Sequence, residues 1–385
     1  MKKAIVLGCG LIGSAMVRDL ARDGDFCITV TDVEDRNLQA AGGLPNVRAT
    51  RLDLGDAALV RRLVSDFDVV LGALPSTLGL ATLAAVLDAG KPYADISFMN
   101  EDPLQLDARA REKGVTAIVD CGVAPGLANM IVGFCATKLD EIERVEYCVG
   151  GLPKTRRRPY EYKAPFAPYD VLEEYTRPAR MMENGRVVVK PALSEPVLVD
   201  LPRVGTLEAF NTDGLRSLLK TIKARNMKEK TLRYPGHRDL MLALRESGFF
   251  GKDEIELTGG IRVAPLDVTA RLLFPLWALE PGEQEFTLLH VVVEGRVGDR
   301  FLRHTYDLYD EYDSATAMTS MARTTGFPCV IVARMLAEGS LSMPGVHPPE
   351  ALGMREGMLA KITAELASRS VFLHDFKEDL PALQG

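Results

Sequence analysis

Ten residues near the start of the chain restrict its architecture more than any other stretch. The apolar run Ala4-Ile5-Val6-Leu7 ends in Gly8-Cys9-Gly10-Leu11-Ile12-Gly13, and Ser14 to Ala21 then takes helical spacing. A strand that turns through G-x-G-x-x-G into a helix opens a βαβ unit. Gly8 permits the tight turn, Gly10 lets backbone approach a pyrophosphate, and Gly13 lets the helix pack close to the sheet. The first helical turn, with Leu11 and Ile12, offers unpaired N–H groups and a favourable dipole to phosphates. Asp32 lies 24 residues after Gly8, at the end of the β-rich run Ile28–Thr31. A carboxylate there accepts hydrogen bonds from the ribose hydroxyls of NAD and repels the 2′-phosphate of NADP, which predicts NAD as cofactor. Arg36 is the nearest loop arginine that could still take a phosphate, and a glycine turn without a ligand is the bland alternative.

The alternation continues. Val47–Leu52, Val69–Leu71, Tyr93–Ile96 and Thr116–Val119 read as strands, with helices over Asp56–Val64, Leu78–Ala89 and Asp102–Lys113. This predicts an α/β fold, a Rossmann-type doubly wound parallel sheet forming a dinucleotide-binding domain over residues 1–122. Leu74-Pro75-Ser76 follows the fourth strand, where open α/β sheets place their ligand crevice, and is expected beside the cofactor. Asp53 is either a helix N-cap or a contact to the adenine edge.

Beyond Asp120 the character changes. A Gly/Pro-punctuated loop, Cys121–Asn129, leads into an apolar helix, Met130–Ala136, and Val145–Val149 reads as a strand. A polar stretch from Pro153 to Pro168 is followed by β-rich runs at 186–189, 196–201, 254–257 and 286–294. Strands in succession with few crossovers predict a second, α+β domain over 123–325, with a mostly antiparallel sheet carrying helices on one face. Its open face predicts a homo-oligomer, a dimer or higher. A helical pattern runs from about Ala315 to Ala337, and the segment 326–385 is expected to pack back on the first domain.

Composition narrows the function. Apolar residues at 47% and charged residues at 26% fit a globular chain, not a disordered one. Lys plus Arg number 46 against 53 Asp plus Glu, a formal charge of −7 that argues against nucleic acid or an anionic membrane as partner. No run of about 18 apolar residues suggests a membrane span, and glycines break the N-terminal apolar run that would otherwise suggest a signal peptide. The six cysteines are scattered without a C-x-x-C pair, which points to reduced thiols in a cytoplasmic protein and to no metal site.

Five segments carry a family likeness. The strand-end glycine motif, Gly122-Val123-Ala124-Pro125-Gly126-Leu127, Tyr147-Cys148-Val149-Gly150-Gly151-Leu152-Pro153, Lys230-Thr231-Leu232-Arg233-Tyr234-Pro235-Gly236-His237 and Thr324-Thr325-Gly326-Phe327-Pro328 together resemble the saccharopine dehydrogenase-like family. Within it, the Gly-Val-Ala-Pro-Gly loop, the Glu161-Tyr162 pair and Leu207-Glu208-Ala209-Phe210 are most similar to NAD-dependent lysine 6-dehydrogenases. The resemblance implies oxidation of the ε-amine of L-lysine to the aldehyde, which cyclises, with release of ammonia. A saccharopine-type or other amino-acid or amine dehydrogenase, or a non-catalytic NAD-binding regulatory protein, stands as the alternative. The saccharopine reductases usually carry Asp before the Pro-Gly of the loop, where Ala124 stands here.

Amine oxidation sets the search for site residues. A lysine amine has a pKa of about 10.4, so a base or a desolvating pocket must first remove its proton. His237 is the expected general base by residue type, or else a loop or capping histidine. Glu161, with Tyr162 beside it, is the second candidate, or else part of a solvated loop. Arg233 is the expected clamp for the substrate carboxylate, and Asn211 and Thr212 could hold its polar end or simply shape a turn. The partner expected is therefore a small amino acid or amine.

Overall fold

The computed structural model describes residues 1–39 and 41–381. The chain divides into two compact units, one of Met1–Lys138 with Met321–Leu373, the other of Leu139–Ser320 with the chain from His374 onward.

The first unit begins with β1 (Lys2–Leu7), α1 (Leu11–Ala21), β2 (Phe26–Asp32), α2 (Asp35–Gln39) and β3 (Val47–Arg51). It continues with α3 (Ala57–Val64), β4 (Val69–Gly72), α4 (Ser76–Asp88), β5 (Tyr93–Asp95), α5 (Asp107–Glu112), β6 (Thr116–Ile118) and α6 (Leu127–Ala136). Ile5, Leu7, Val70, Leu83, Val86 and Tyr93 are fully buried between the layers, and each such side chain contributes roughly 1.5–3 kcal/mol. α6 is buried nearly all round because two glycines bring it against a later helix. A Cβ on Gly133 would stand 2.2 Å from the Glu350 carbonyl oxygen, and one on Gly353 would stand 1.9 Å from that of Met130. That packing keeps residues 123–138 with the first unit, whereas the change in sequence character suggested a break at 122.

The second unit runs through β7 (Glu141–Pro153), α7 (Pro168–Thr176), β8 (Ala179–Glu183), β9 (Arg186–Lys190), β10 (Val197–Leu201) and β11 (Gly205–Asn211). It continues with α8 (Leu218–Thr221), β12 (Ala224–Arg233), α9 (His237–Glu246), the small pair β13 (Ile255–Glu256) and β14 (Arg262–Val263), α10 (Pro265–Trp277), β15 (Glu285–Val297) and β16 (Arg300–Glu311). Its largely antiparallel sheet has the order β10-β11-β12-β7-β15-β16 and ends on β18 (Leu373–Leu380); β8 attaches to β12 and β9 to β8. β12 and β7 pair in parallel. The β10–β11, β11–β12, β12–β8, β8–β9, β7–β15 and β15–β16 pairs are antiparallel. Trp277, Tyr175, Phe210, Leu232 and Phe286 form the core between the sheet and α7, α9 and α10. The central strand β15 buries residues on both of its faces, Leu288, Leu289, Val291, Val292 and Val293, with His290 between them half-buried, so this strand lacks the open face expected of the sheet from the sequence. Exposed apolar side chains sit instead on the outer strands, at Val187, Val189, Val197 and Leu198.

The chain returns to the first unit along α11 (Ser320–Glu338), β17 (Gly345–His347), α12 (Pro349–Gly353) and α13 (Met358–Ala367). β17 completes the parallel sheet, in the order β17-β6-β5-β4-β1-β2-β3. Arg369 clamps the return onto α1, its Nε lying 2.8 and 3.0 Å from the two oxygens of the buried Asp19. Among the described residues no helix is long and apolar enough to cross a membrane, and no group of three or more His, Cys, Asp or Glu is placed to hold a metal ion.

Candidate functional site

In the first unit the glycine turn is built as a cradle. Gly8 has φ +98°, and a Cβ there would stand 2.3 Å from the Ala73 carbonyl oxygen. A Cβ on Gly13 would stand 2.1 Å from the Gly8 carbonyl oxygen, so α1 reaches the sheet only because that side chain is absent. Gly10, the N-cap of α1, is different: it has no side-chain cap, and a Cβ there meets nothing within 4 Å. The N-terminus of this helix, with Leu11 and Ile12 in its first turn, is thus uncapped and faces open space, a fit for a diphosphate. Leu74 adjoins the cradle, its Cδ2 lying 3.4 Å from where a Gly8 Cβ would stand, while Pro75 is the N-cap of α4 and Ser76 is buried as its first residue. The N-cap of α3 is Asp56, which accepts from the Ala58 N–H, while Asp53 accepts from the Gly55 N–H and shapes the preceding turn.

Asp32 ends β2 with its carboxylate engaged by the protein itself. Oδ2 accepts the Cys9 N–H at 2.8 Å, and Oδ1 accepts the Glu34 N–H at 2.9 Å and the Asn37 side-chain amide at 3.2 Å. The carboxylate pins the glycine turn to the α2 region. Arg51, its neighbour across the β2–β3 ladder, donates to the Val33 carbonyl at 3.0 Å with an exposed guanidinium.

Asp95, which residue type alone did not single out, ends β5 on the same sheet edge, opposite Gly72. Its Oδ1 accepts the Tyr93 hydroxyl at 3.0 Å and the Ser97 hydroxyl at 2.8 Å, while Oδ2 is buried with no hydrogen-bond partner. Burial pushes this carboxyl up to about 7, and the nearby Asp120 adds to the shift. Gly72 makes the room, since a Cβ would stand 2.0 Å from the Tyr93 hydroxyl. The alternation Tyr93-x-Asp95-x-Ser97 was the available signal. Cys121 hydrogen-bonds the Cys329 thiol, and burial holds Cys329 well above its ordinary range, so that thiol stays protonated.

In the second unit the structure brings His237, Tyr162 and Arg233 together around Trp277. The His237 Nδ1–H donates to the Tyr160 carbonyl at 2.8 Å, which leaves Nε2 to accept the Tyr175 hydroxyl at 3.0 Å. Burial, aided by the Arg233 charge, pulls His237 down to about 3. A general base needs a free lone pair and affinity for a proton near neutral pH. In this structure the Tyr175 hydroxyl takes the His237 lone pair, and the ring braces the cluster between Tyr160 and Tyr175. Replacing it with Ala is expected to strand the Tyr175 hydroxyl and the Tyr160 carbonyl and cost about 2–4 kcal/mol, seen as a lower melting temperature. Lost turnover at unchanged melting temperature would restore the base assignment.

Arg233 is equally committed. Its Nε donates to the Tyr175 hydroxyl at 3.2 Å, one terminal nitrogen to the Leu232 carbonyl at 2.9 Å and the other to Glu174 at 2.5 Å. The guanidinium stacks 4.5 Å from the Tyr162 ring centre. A substrate carboxylate would have to displace these partners, which argues against the expected clamp. Glu161 turns away to Arg156, 2.7 Å from its Nε.

Asn211 and Thr212 are buried at the end of β11. The Asn211 amide donates to Ser194 at 3.1 Å, whereas Thr212 donates to Glu229 and shares a 2.8 Å contact with Thr231. Glu229 also accepts the Gly214 N–H at 3.1 Å, and burial pushes it up to about 8. Polar strand β12 hid it from a search for apolar alternation.

Comparison with known proteins adds the lineage. Residues 4–118 match the saccharopine dehydrogenase NADP binding domain and residues 122–371 the saccharopine dehydrogenase C-terminal domain. The chain belongs to the saccharopine dehydrogenase family. It is an NAD(P)-binding oxidoreductase of that family. It is 23% identical to saccharopine dehydrogenase [NADP(+), L-glutamate-forming] of Schizosaccharomyces pombe, over 91% of this chain and 94% of that one. It is 22% identical to the mitochondrial alpha-aminoadipic semialdehyde synthase of Mus musculus over 94% of its own length, spanning 47% of that protein. The fold is shared with apo saccharopine dehydrogenase (L-Glu forming) of Saccharomyces cerevisiae, at a TM-score of 0.81 and 18% identity, covering 98% of this chain and 100% of that one. These matches correct the NAD assignment drawn from Asp32: the matched domain and the fission-yeast relative are both named for NADP. The carboxylate was read as free for a ribose, whereas three protein donors occupy it.

Proposed function

We propose that the chain catalyses NADP-dependent oxidation of a carbon–nitrogen bond in an amino acid of the saccharopine type, or the reverse reduction. The observation that carries this reading is the match along both units to a protein named for NADP and for forming L-glutamate, over nearly the whole of each chain. The cradle supports it. The N–H groups at the start of α1 would hold the diphosphate, and Arg36 and Arg51, exposed near Asp32, would meet the 2′-phosphate. Asp32 is turned inward by the Cys9, Glu34 and Asn37 donors, which hold its oxygens to the protein itself. When bound, NADP would supply the acceptor for the hydride leaving the nitrogen-bearing carbon. At neutral pH Asp95 holds a proton in part, placed on Oδ2 because Oδ1 already accepts two hydroxyls. Tyr162 and Tyr175 stay neutral, since burial raises both phenols.

A second reading, oxidation of the ε-amine of L-lysine, is favoured by Ala124, which stands where the saccharopine reductases usually carry Asp. Absorbance at 340 nm, followed with NADP and either L-saccharopine or L-lysine, separates the two. The expected result is a kcat/KM for saccharopine at least about tenfold above that for lysine. The opposite ratio transfers the assignment to the primary amine, and NADP reduction with neither substrate overturns both.

A further inference from the structure

The second unit leaves a two-stranded ribbon and one side of a helix uncovered. β13 and β14 pair with each other in a sheet of their own, Ile255 opposite Val263 and Glu256 opposite Arg262. At the turn the Leu257 N–H donates to the Ile261 carbonyl at 2.8 Å. Residues opposite one another or two apart share a face, so Ile255, Leu257 and Ile261 line one side of the ribbon and the Glu256–Arg262 pair the other. Two strands alone are marginal in water unless their apolar side is covered. Those three side chains are nonetheless 45–61% exposed.

The chain passes from β14 through Ala264 directly into α10. One side of α10 enters the core through Thr269, Ala270, Leu273 and Trp277. A surface helix ordinarily carries polar residues away from its core-facing stripe. α10 instead presents Val268, Leu272 and Leu276, spaced i, i+4, i+8, at 47%, 65% and 56% exposure. The Thr269 hydroxyl donates to the Phe249 carbonyl at 2.8 Å, which brings the half-exposed Phe249 to the same segment.

These seven side chains present on the order of 500 Å² of apolar surface, at the upper end of what a monomer leaves bare. A stable interface takes about 800 Å² from each partner, a little over half of it apolar. The patch supplies that share by itself. Its charges come in both signs, Lys252, Arg262 and Arg271 beside Asp253, Glu254, Glu256 and Asp267. A rim of mixed sign suits neither an anionic membrane nor a strongly charged protein, and it can pair with its own copy across a two-fold axis. An i, i+4 row is also the ridge that packs against its own kind in the commonest class of helix crossing. We propose that α10 and the β13–β14 ribbon form a two-fold interface between two copies of this chain, with Leu272 near the axis and Val268 of one copy against Leu276 of the other.

Sedimentation of the full chain at micromolar concentration should give the mass of two chains. Leu272→Lys sets two ammonium groups against each other at the axis and should weaken self-association at least about hundredfold, leaving the mass of one chain. Val189→Lys, on the exposed outer strand β9, should keep the mass of two. Circular dichroism identifies a variant that fails to fold, and Leu276→Gln then takes the place of Leu272→Lys. A single-chain mass for the wild type, a two-chain mass for the folded α10 variant, or a single-chain mass for Val189→Lys overturns the interface.

Discussion

Asp95→Asn and Glu229→Gln are each expected to be progressively more stable than the wild type as pH rises from about 4 to 8. The sign comes from linkage. Asp95 is pushed from 3.8 to about 7 and Glu229 from 4.5 to about 8, so the unfolded chain releases these protons at lower pH than the native one. Native stability from each carboxyl is therefore whole below its ordinary pKa and drains away until the raised value is passed. Shifts near three units correspond to about 4 kcal/mol per site, and the neutral amides escape the loss. Urea unfolding at several pH values, read on the transition of the unit that carries the substitution, should show mutant and wild type diverging across that window. Parallel profiles would mean that neither carboxyl is held as an acid in the folded protein.

The glycine turn yields the second large effect, because its three glycines serve different ends. Gly13→Ala must push a methyl against the Gly8 carbonyl, and Gly8→Ala must do so against Ala73 from a left-handed backbone. Both should lose NADP affinity by about a hundredfold or more and lower the melting temperature of the first unit. Gly10→Ala has open space around the new methyl, so it should melt like the wild type yet bind NADP at least about tenfold more weakly, since the methyl faces the place of the diphosphate. Fluorescence titration with NADP beside calorimetric melting reads both quantities. Wild-type NADP affinity in Gly10→Ala would remove the diphosphate from the cradle.

Element by element, legibility tracked the strength of local patterning. β1, β4 and α1 were readable because apolar runs and glycines declare themselves within a few residues. β16 was missed because its buried positions alternate with Arg303, Asp307 and Glu311, and β12 because Lys228, Glu229 and Lys230 mask a strand whose second half is buried. The return of α12 to α6 could not be read either, since its close contacts set Gly133 against Glu350 and Gly353 against Met130, 217 and 223 positions apart. Among site candidates, Gly8, Gly10, Gly13 and Asp32 come together at the cradle, because a turn motif is a local object. His237 and Arg233 were picked by residue type, and residue type says nothing of who already holds the hydrogen bonds.

The order of amino acids alone settled the parallel α/β entry, the antiparallel character of the second sheet and the glycine turn into α1, since each arises from periodicity and backbone freedom over short spans. Chain folding settled which ionisable groups remain available. Charge, protonation and hydrogen-bond vacancy depend on burial and on neighbours drawn from distant segments: Tyr160 and Tyr175 disarm His237, Glu174 occupies Arg233, and the loss of water around Asp95 and Glu229 turns two ordinary carboxylates into acids that keep their protons near neutral pH.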